Sequence, residues 1–265
     1  LAQMDMEQFL ISQYWGKIQT NSNYKRDGTI EFKEEFILRA RNEAIPHPKT
    51  ILRREVPCQD WNYNVLREKL NCSKMVLKDI RSKRSEGVYI VRNNNQFISS
   101  PTIRIAQEKI TNSGIYASSL RVITFPNQIC GALIYYNKYD ERSNFGNTWK
   151  RIFLNEGTLQ GQKCPPGLES LLRVNGVDQN LQLNPKARAL ALRVSSLSSQ
   201  SLLRAIDIMG DDEGDLYILE AQTLPGAPCG PVYSILQGLK YQGIEQGADA
   251  AARFLANYME NILVN

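Results

Sequence analysis

An α+β fold is predicted for this chain on three observations. Apolar runs rich in β-formers and bounded by Gly, Pro, Asp or Asn follow one another in pairs, at 75–78 with 87–91, 120–125 with 131–136 and 205–209 with 215–221. Separate segments carry apolar residues at helical spacing, over 30–42, over 61–70 and from Asn184 onward. The composition, 42% hydrophobic and 22% charged over 265 residues, is that of a soluble globular protein, with ample chain to bury a core as one large domain or two smaller ones.

Charge and cysteine usage narrow the function classes. The formal net charge of +5 comes without a Lys/Arg block, so no nucleic-acid partner is expected. No apolar run has the length of a membrane span and no stretch reads as a secretory leader, so no membrane partner is expected either. Five cysteines, Cys58, Cys72, Cys130, Cys164 and Cys229, are scattered, and His47 is the one histidine. That pattern speaks against zinc and for reduced thiols in a cytoplasmic protein.

Residues 1–28 read as a short helix and a turn-rich linker through Asn21, Asn23 and Asp27-Gly28. Phe32, Phe36, Ile37 and Ala40 form the apolar stripe of an amphipathic helix over 30–42. Pro46 and Pro48 end it and force extended backbone. A second helix over 61–70 turns Leu66 and Leu70 to one side. Met75–Lys78 is a strand ending in a cation, followed by a polar loop through Glu86 and a strand over Gly87–Val91. A fixed positive charge beside a loop that folds down is what a cover over a triphosphate requires.

Alternation marks Ile103–Ile110 as a strand, and Leu120–Phe125 and Gly131–Tyr136 as a hairpin around Pro126-Asn127-Gln128. Residues 137–167 read as polar and turn-rich. Asn184-Pro185 is a helix start, with Asn as cap and Pro in the first turn, and Leu190, Val194 and Leu197 supply its buried stripe. Two further helices are expected, through Tyr233, Leu236 and Leu239 and through Phe254, Tyr258 and Ile262.

The late hairpin, Ala205–Met209 and Asp215–Ala221 around an acidic turn, carries the chemistry. Asp207 lies among apolar neighbours in the first strand. Glu220 and Gln222, two residues apart in the second, share a face. A buried carboxylate costs several kcal/mol or more unless something positive neutralises it. Three oxygen-bearing side chains near paired strand ends therefore suggest a hard divalent cation, magnesium held together with nucleotide phosphates.

Asp207, a glycine turn, an apolar strand and then Glu220-Ala221-Gln222-Thr223-Leu224-Pro225-Gly226 resembles the metal-binding end of the ATP-grasp superfamily, where the strand closes in Glu-x-Asn-x-x-Pro-Gly. The superfamily includes D-alanine–D-alanine ligases, glutathione synthetases and RimK-type ligases. Gln222 stands where Asn is usual, which keeps the amide oxygen on an arm one methylene longer. The exit Ala44-Ile45-Pro46-His47-Pro48-Lys49-Thr50 is similar to the family's Gly-Ile-Pro-x-Pro-x-Thr, with Ala44 for the glycine. Lys78 and the following loop resemble the family's lysine and glycine-rich loop, with Gly87 kept and Arg81, Lys83 and Arg84 present instead of glycines.

The resemblance implies a fold of two lobes, 30–102 and 103–265, whose antiparallel sheets clamp ATP, with 1–29 as a lead. It implies that Lys78 contacts the nucleotide and that Gln107, Glu108, Lys109 and Ile110 lie along the base. It assigns Asp207, Glu220 and Gln222 to Mg2+. Arg121 matches the family's Leu-Arg-Val position, where it stabilises a transferred phosphoryl group or pairs with a structural carboxylate. Arg151 and Asn155 match a phosphate-contacting segment of the RimK-like branch. The implied activity is ATP-dependent joining of a small-molecule carboxylate to an amine, an amino acid or peptide, through an acyl phosphate. Two alternatives stand beside it: a nucleotide-binding module on the same fold that has lost its chemistry, and a small-molecule kinase. The chain opens on Leu1, and the family's usual preceding α/β domain has no place in it. Either the chain is a fragment, or a second copy or a partner chain supplies the missing wall.

Overall fold

The computed structural model describes residues 33–81, 87–112, 117–125, 128–137, 141, 150–155, 158–159, 164, 166–176, 180–197 and 204–223, with 117, 125, 128, 130, 150–155, 158–159 and 222–223 in backbone only. The expected lead over 1–28, the loop residues Lys83 and Arg84, the turn at Pro126-Asn127, the Pro225-Gly226 exit and the helices after it lie outside the described residues.

Helix α1 (Lys33–Asn42) has Glu34 and Glu35 in its first turn and Arg39 and Arg41 in its last, the order that the helix dipole favours. It serves two cores at once. Phe36 and Ala40 join the large hydrophobic cluster, while Ile37 packs with Leu52 and Ile105 in a small one. Its exit is sharp: Ala44 adopts a left-handed conformation at φ 50°, and the Ile45 N–H donates to the Ala40 carbonyl at 2.8 Å.

Among the described residues the strands form two sheets, antiparallel throughout. The smaller has the order β1-β4-β2-β3, where β1 is Thr50–Leu52, β2 Met75–Asp79, β3 Val88–Val91 and β4 Ile103–Glu108. Helix α2 (Tyr63–Leu70) covers it, held at its start by the Asn62 side chain accepting from the Val65 N–H and at its end by left-handed Asn71. Trp61, Tyr63, Leu66 and Leu70 pack there against Met75, Leu77, Val91, Ile103 and Ala106. Ile103–Glu108, the segment with which the sequence reading begins the second lobe, is thus hydrogen-bonded into the first sheet.

The larger sheet runs β12-β11-β5-β6-β7-β8-β10-β9. Its strands are β5 (Ala117–Phe125), β6 (Gln128–Asn137), β7 (Lys150–Asn155), β8 (Thr158–Leu159), β9 (Leu172–Val174), β10 (Leu181–Leu183), β11 (Arg204–Gly210) and β12 (Leu216–Thr223). Helix α3 (Pro185–Ser195) lies on one face. Asn184 caps it by accepting from Lys186 N–H, and Ala187, Leu190, Ala191 and Val194 turn inward. Strands β7 to β10 were not evident from the sequence. They are short, and apart from β7 they run two or three residues, too few for alternation to register; pairing with neighbours makes them strands.

One irregularity governs the hairpin. Asp207 pairs with Glu220, but Ile208 pairs with Ile218, so Leu219 is the extra residue of a β-bulge. Leu216, Ile218 and Ala221 all belong to the core, an odd spacing that a regular strand cannot place on one face. The bulge resets the phase. It sends Ala221 inward and leaves Glu220 on the opposite face with Asp207. The Ile218 N–H meanwhile donates to the Pro46 carbonyl at 2.8 Å, which ties the α1 exit to this strand.

Two substitutions test these features by urea unfolding. Ala44→Gly is expected to raise stability by about 0.5–1 kcal/mol, because glycine adopts a positive φ without the Cβ clash. An ideal Cβ on Gly210 would stand 2.1 Å from Ser170 Oγ. Gly210→Ala should therefore lower stability by about 1–3 kcal/mol, and Ser170→Gly in the same chain should return most of the loss.

Candidate functional site

The strand order β12-β11-β5 places Glu220, Asp207 and Arg121 directly abreast, because Asp207 is the register partner of both the others. Their face of the sheet is the one opposite Ile206, Ile208 and Val122, which belong to the core. Arg121 donates to both oxygens of Asp207, Nε to Oδ1 at 2.7 Å and an Nη to Oδ2 at 2.6 Å. The same guanidinium lies 3.8 Å from Glu220 Oε1. The side chains of Asp207 and Glu220 are 12% and 24% exposed, so both charges have lost much of their water.

Charges from the smaller sheet and from α1 face this row. Burial pulls the Lys78 ammonium down to about 8, against the attraction of Glu220 and Asp207 and together with repulsion from Lys33. Burial and then Asp207 push the Glu220 carboxyl up, with Lys33, Arg121 and Lys78 opposing. The five groups thus sense one another across three separate parts of the fold. Lys33 also donates to the Asp79 carbonyl at 3.3 Å, at the end of β2. Sequence reasoning did not single it out. Its signal was a lysine in the first turn of a helix, where a cation opposes the dipole.

The other residues named from the sequence are distributed over β12, β7 and the end of β4. Gln222 pairs in backbone with Ala205, two positions beyond Glu220. Arg151 pairs with Tyr135 of β6, which pairs with Ser119, so it sits two strands from β5 and two register positions along from Arg121. Gln107 is buried, and its side-chain amide donates to Thr50 Oγ1 at 2.8 Å. Glu108 is locked to Lys49 twice: its N–H donates to the Lys49 carbonyl at 3.0 Å, and its Oε1 accepts from the Lys49 N–H at 2.7 Å. The Lys109 N–H donates to the Lys74 carbonyl, and its Nζ to the Ile110 carbonyl at 2.7 Å. Burial lowers Lys109 to about 8, against Glu141 and with Lys74. The phenol of Tyr217 on β12 is pushed up to about 12 by burial first, then by Asp211, with Asp215 and Glu108 adding to it.

A second group of carboxylates sits at the hairpin turn. Oxygens of Asp211, Glu213 and Asp215 lie within 4.8 Å of one another. Asp211 Oδ1 accepts from the N–H groups of Glu213 and Asp215 at 3.0 and 2.8 Å, and Oδ2 from the Tyr217 hydroxyl at 2.9 Å. That carboxylate is spent on closing its own turn. Beside it lies a cavity of about 450 Å³ reached by Asn112, Glu169, Asn184 and Lys186.

The donor set of the central row fits magnesium. Asp207 and Glu220 offer hard oxygens side by side, the donor type that magnesium takes, and in the arrangement seen both oxygens of Asp207 are held by Arg121.

No family model and no curated protein matches the sequence. Solved structures do match. D-alanyl-alanine synthetase A from Vibrio cholerae O1 biovar eltor superposes at TM-score 0.55 and 17% identity, covering 89% of this chain and 66% of that one. The ATP-grasp ligase PsnB, complexed with a phosphomimetic variant of its minimal precursor, Mg and ADP, superposes at 0.51 and 13% identity, covering 86% and 58%. D-cycloserine synthetase DcsG gives 0.51 and 12%, covering 86% and 70%. Two antiparallel sheets bridged by α1, in this company, define the class: the chain has the ATP-grasp fold. It spans under two thirds of the length of the first two of these proteins.

The charge coupling is open to direct measurement. In lysine-methylated protein followed by NMR, Lys78 should titrate with a midpoint near 8. Glu220→Gln should lower that midpoint further, since the carboxylate that favours the ammonium is gone. A midpoint at the ordinary lysine value would remove Lys78 from this cluster.

Proposed function

We propose that this chain is the nucleotide-binding and catalytic part of an ATP-dependent carboxylate–amine ligase, with an amino acid or peptide as substrate. The observation that carries this reading is the row Glu220–Asp207–Arg121 faced by Lys78 and Lys33, two carboxylates and three cations drawn from both sheets and from α1. Phosphoryl transfer asks a protein for little covalent work and for much fixed charge, held in place and sheltered from water. The fold is shared with proteins named as D-alanyl-alanine synthetase and D-cycloserine synthetase, and with a ligase complexed with a variant of its minimal precursor, Mg and ADP.

In this reading Asp207, Glu220 and Gln222 hold Mg2+, which supplies charge neutralisation at the phosphates. Lys78 and Lys33 add positive charge from the facing side, and Lys78 must be protonated to do so. Gln107 to Ile110 present backbone along the base. Arg121 and Arg151 stabilise the phosphoryl group as it passes to the substrate carboxylate, and the amine then displaces phosphate. The smaller sheet, β4 included, is one lobe and the larger sheet the other, so the boundary falls after Glu108 and not at 102, with 1–29 a lead. The acid and amine are then selected by loops and by surfaces outside the described residues. A cytoplasmic location belongs to the same reading.

The bidentate Arg121–Asp207 pair favours a second reading, in which the site binds nucleotide without turning it over. ADP release measured against a pool of amino acids and short peptides separates the two. A ligase releases ADP only when both an acid and an amine are present, and Glu220→Gln should reduce the rate by about 10²–10³-fold. Magnesium-dependent nucleotide binding with no turnover supports the binding module. Release without any amine marks a kinase.

A further inference from the structure

Asp207 cannot serve Arg121 and a metal ion at the same time in the arrangement seen. Both of its oxygens accept from one planar guanidinium, at 2.7 and 2.6 Å, and the pair is largely withdrawn from water, with side chains 12% and 24% exposed. A fork of this kind is the strongest hold that a protein offers a carboxylate. Glu220, the second carboxylate, has the same guanidinium at 3.8 Å.

The charges around the pair decide what can displace the arginine. Two carboxylates already face Arg121, Lys78 and Lys33. A bare divalent cation entering this set would add charge of the sign already in excess, and on Asp207 it would strip the largely buried guanidinium of the carboxylate it holds. A divalent cation that carries a polyphosphate brings its own anions, and these have the shape to receive the fork that Asp207 gives up.

The geometry points to Arg121 as the resident counter-ion of Asp207 in the nucleotide-free protein, exchanging onto the phosphates when metal and nucleotide arrive together. The inference rests on the preceding reading of Asp207 and Glu220 as metal ligands, and it adds an order of events to that reading. Free metal binds weakly because Arg121 holds its seat. Nucleotide and metal then reinforce each other, since the phosphate removes the competitor. Arg121 thereby moves from neutralising the protein to neutralising the reacting group.

The experiment is a titration of the full chain with Mn2+ alone, with free ion followed by electron paramagnetic resonance, on wild type, Arg121→Gln and Arg121→Lys. Arg121→Gln is expected to bind Mn2+ at least about tenfold more tightly than wild type, and Asp207→Asn in that background to abolish the gain. Arg121→Lys should fall between, because a single ammonium cannot hold both oxygens. It keeps a cation opposite Asp207, so it reports even where the glutamine variant fails to fold. Equal or weaker Mn2+ binding in the folded variants overturns the exchange. Mn2+ titrations of wild type with a non-hydrolysable ATP analogue separate the two levels. Joint binding there with no effect of Arg121 sinks the exchange alone, whereas no joint binding at all sinks the metal site with it.

Discussion

Two carboxylates placed opposite each other on neighbouring strands repel, and most of what surrounds them in this protein answers that repulsion. Asp207 and Glu220 are register partners on β11 and β12, and both are mostly buried. Like charges directly across a strand pair destabilise a sheet. The third strand in the row, β5, brings Arg121 to the far side of Asp207, and Lys78 and Lys33 close over from the smaller sheet and from α1. Removing Arg121 strips Asp207 of the fork that holds both its oxygens, at a cost of about 3–5 kcal/mol for a pair this enclosed. A fold that keeps such an arrangement forgoes stability that an apolar row would have provided. That sacrifice is intelligible where the charges are meant for a ligand.

The two sheets are held in a relation that keeps the cations facing the carboxylates. Helix α1 packs into both cores, and its exit accepts a hydrogen bond from β12 at Pro46. Arg39 donates to the Leu197 carbonyl, and Arg193 donates back to the Glu43 carbonyl at 2.6 Å. At the other side Glu141, just beyond β6, accepts from Lys74 at 2.7 Å and from Arg92, the residues flanking β2 and β3. These are polar ties at the margins of two separate apolar cores. Such margins resist small displacements less than interdigitated cores do, which suits the nucleotide site proposed between the sheets.

Much of the architecture was legible in the sequence wherever the signal was local. The stripe Phe36, Ile37 and Ala40, the cap Asn184 before Pro185, the alternation over Ile103–Glu108 and the turn after Gly210 each depend on residues close in sequence, and the structure forms elements there. Strands β7 to β10 escaped because they are short or lie in polar surroundings, and partners make them strands. The bulge at Leu219 was hidden for a related reason. The spacing of Leu216, Ile218 and Ala221 becomes informative only once the core that all three enter is known.

By itself the sequence determined an α+β chain with a late acidic hairpin, with Glu220 and Gln222 spaced to share a face, Asp207 among apolar neighbours in the other strand, and a lysine closing the strand over Met75–Lys78. Those are consequences of period and propensity, which act over a few residues. Only the tertiary structure decided that Arg121 would hold Asp207, that Lys33 would join Lys78 above Glu220, and that Gln107 would spend its amide on Thr50. Strand order and the packing of α1 between two cores bring together groups as far apart as positions 33 and 220. What a charge does is set by the field of its neighbours in space, and no local pattern records who those neighbours are.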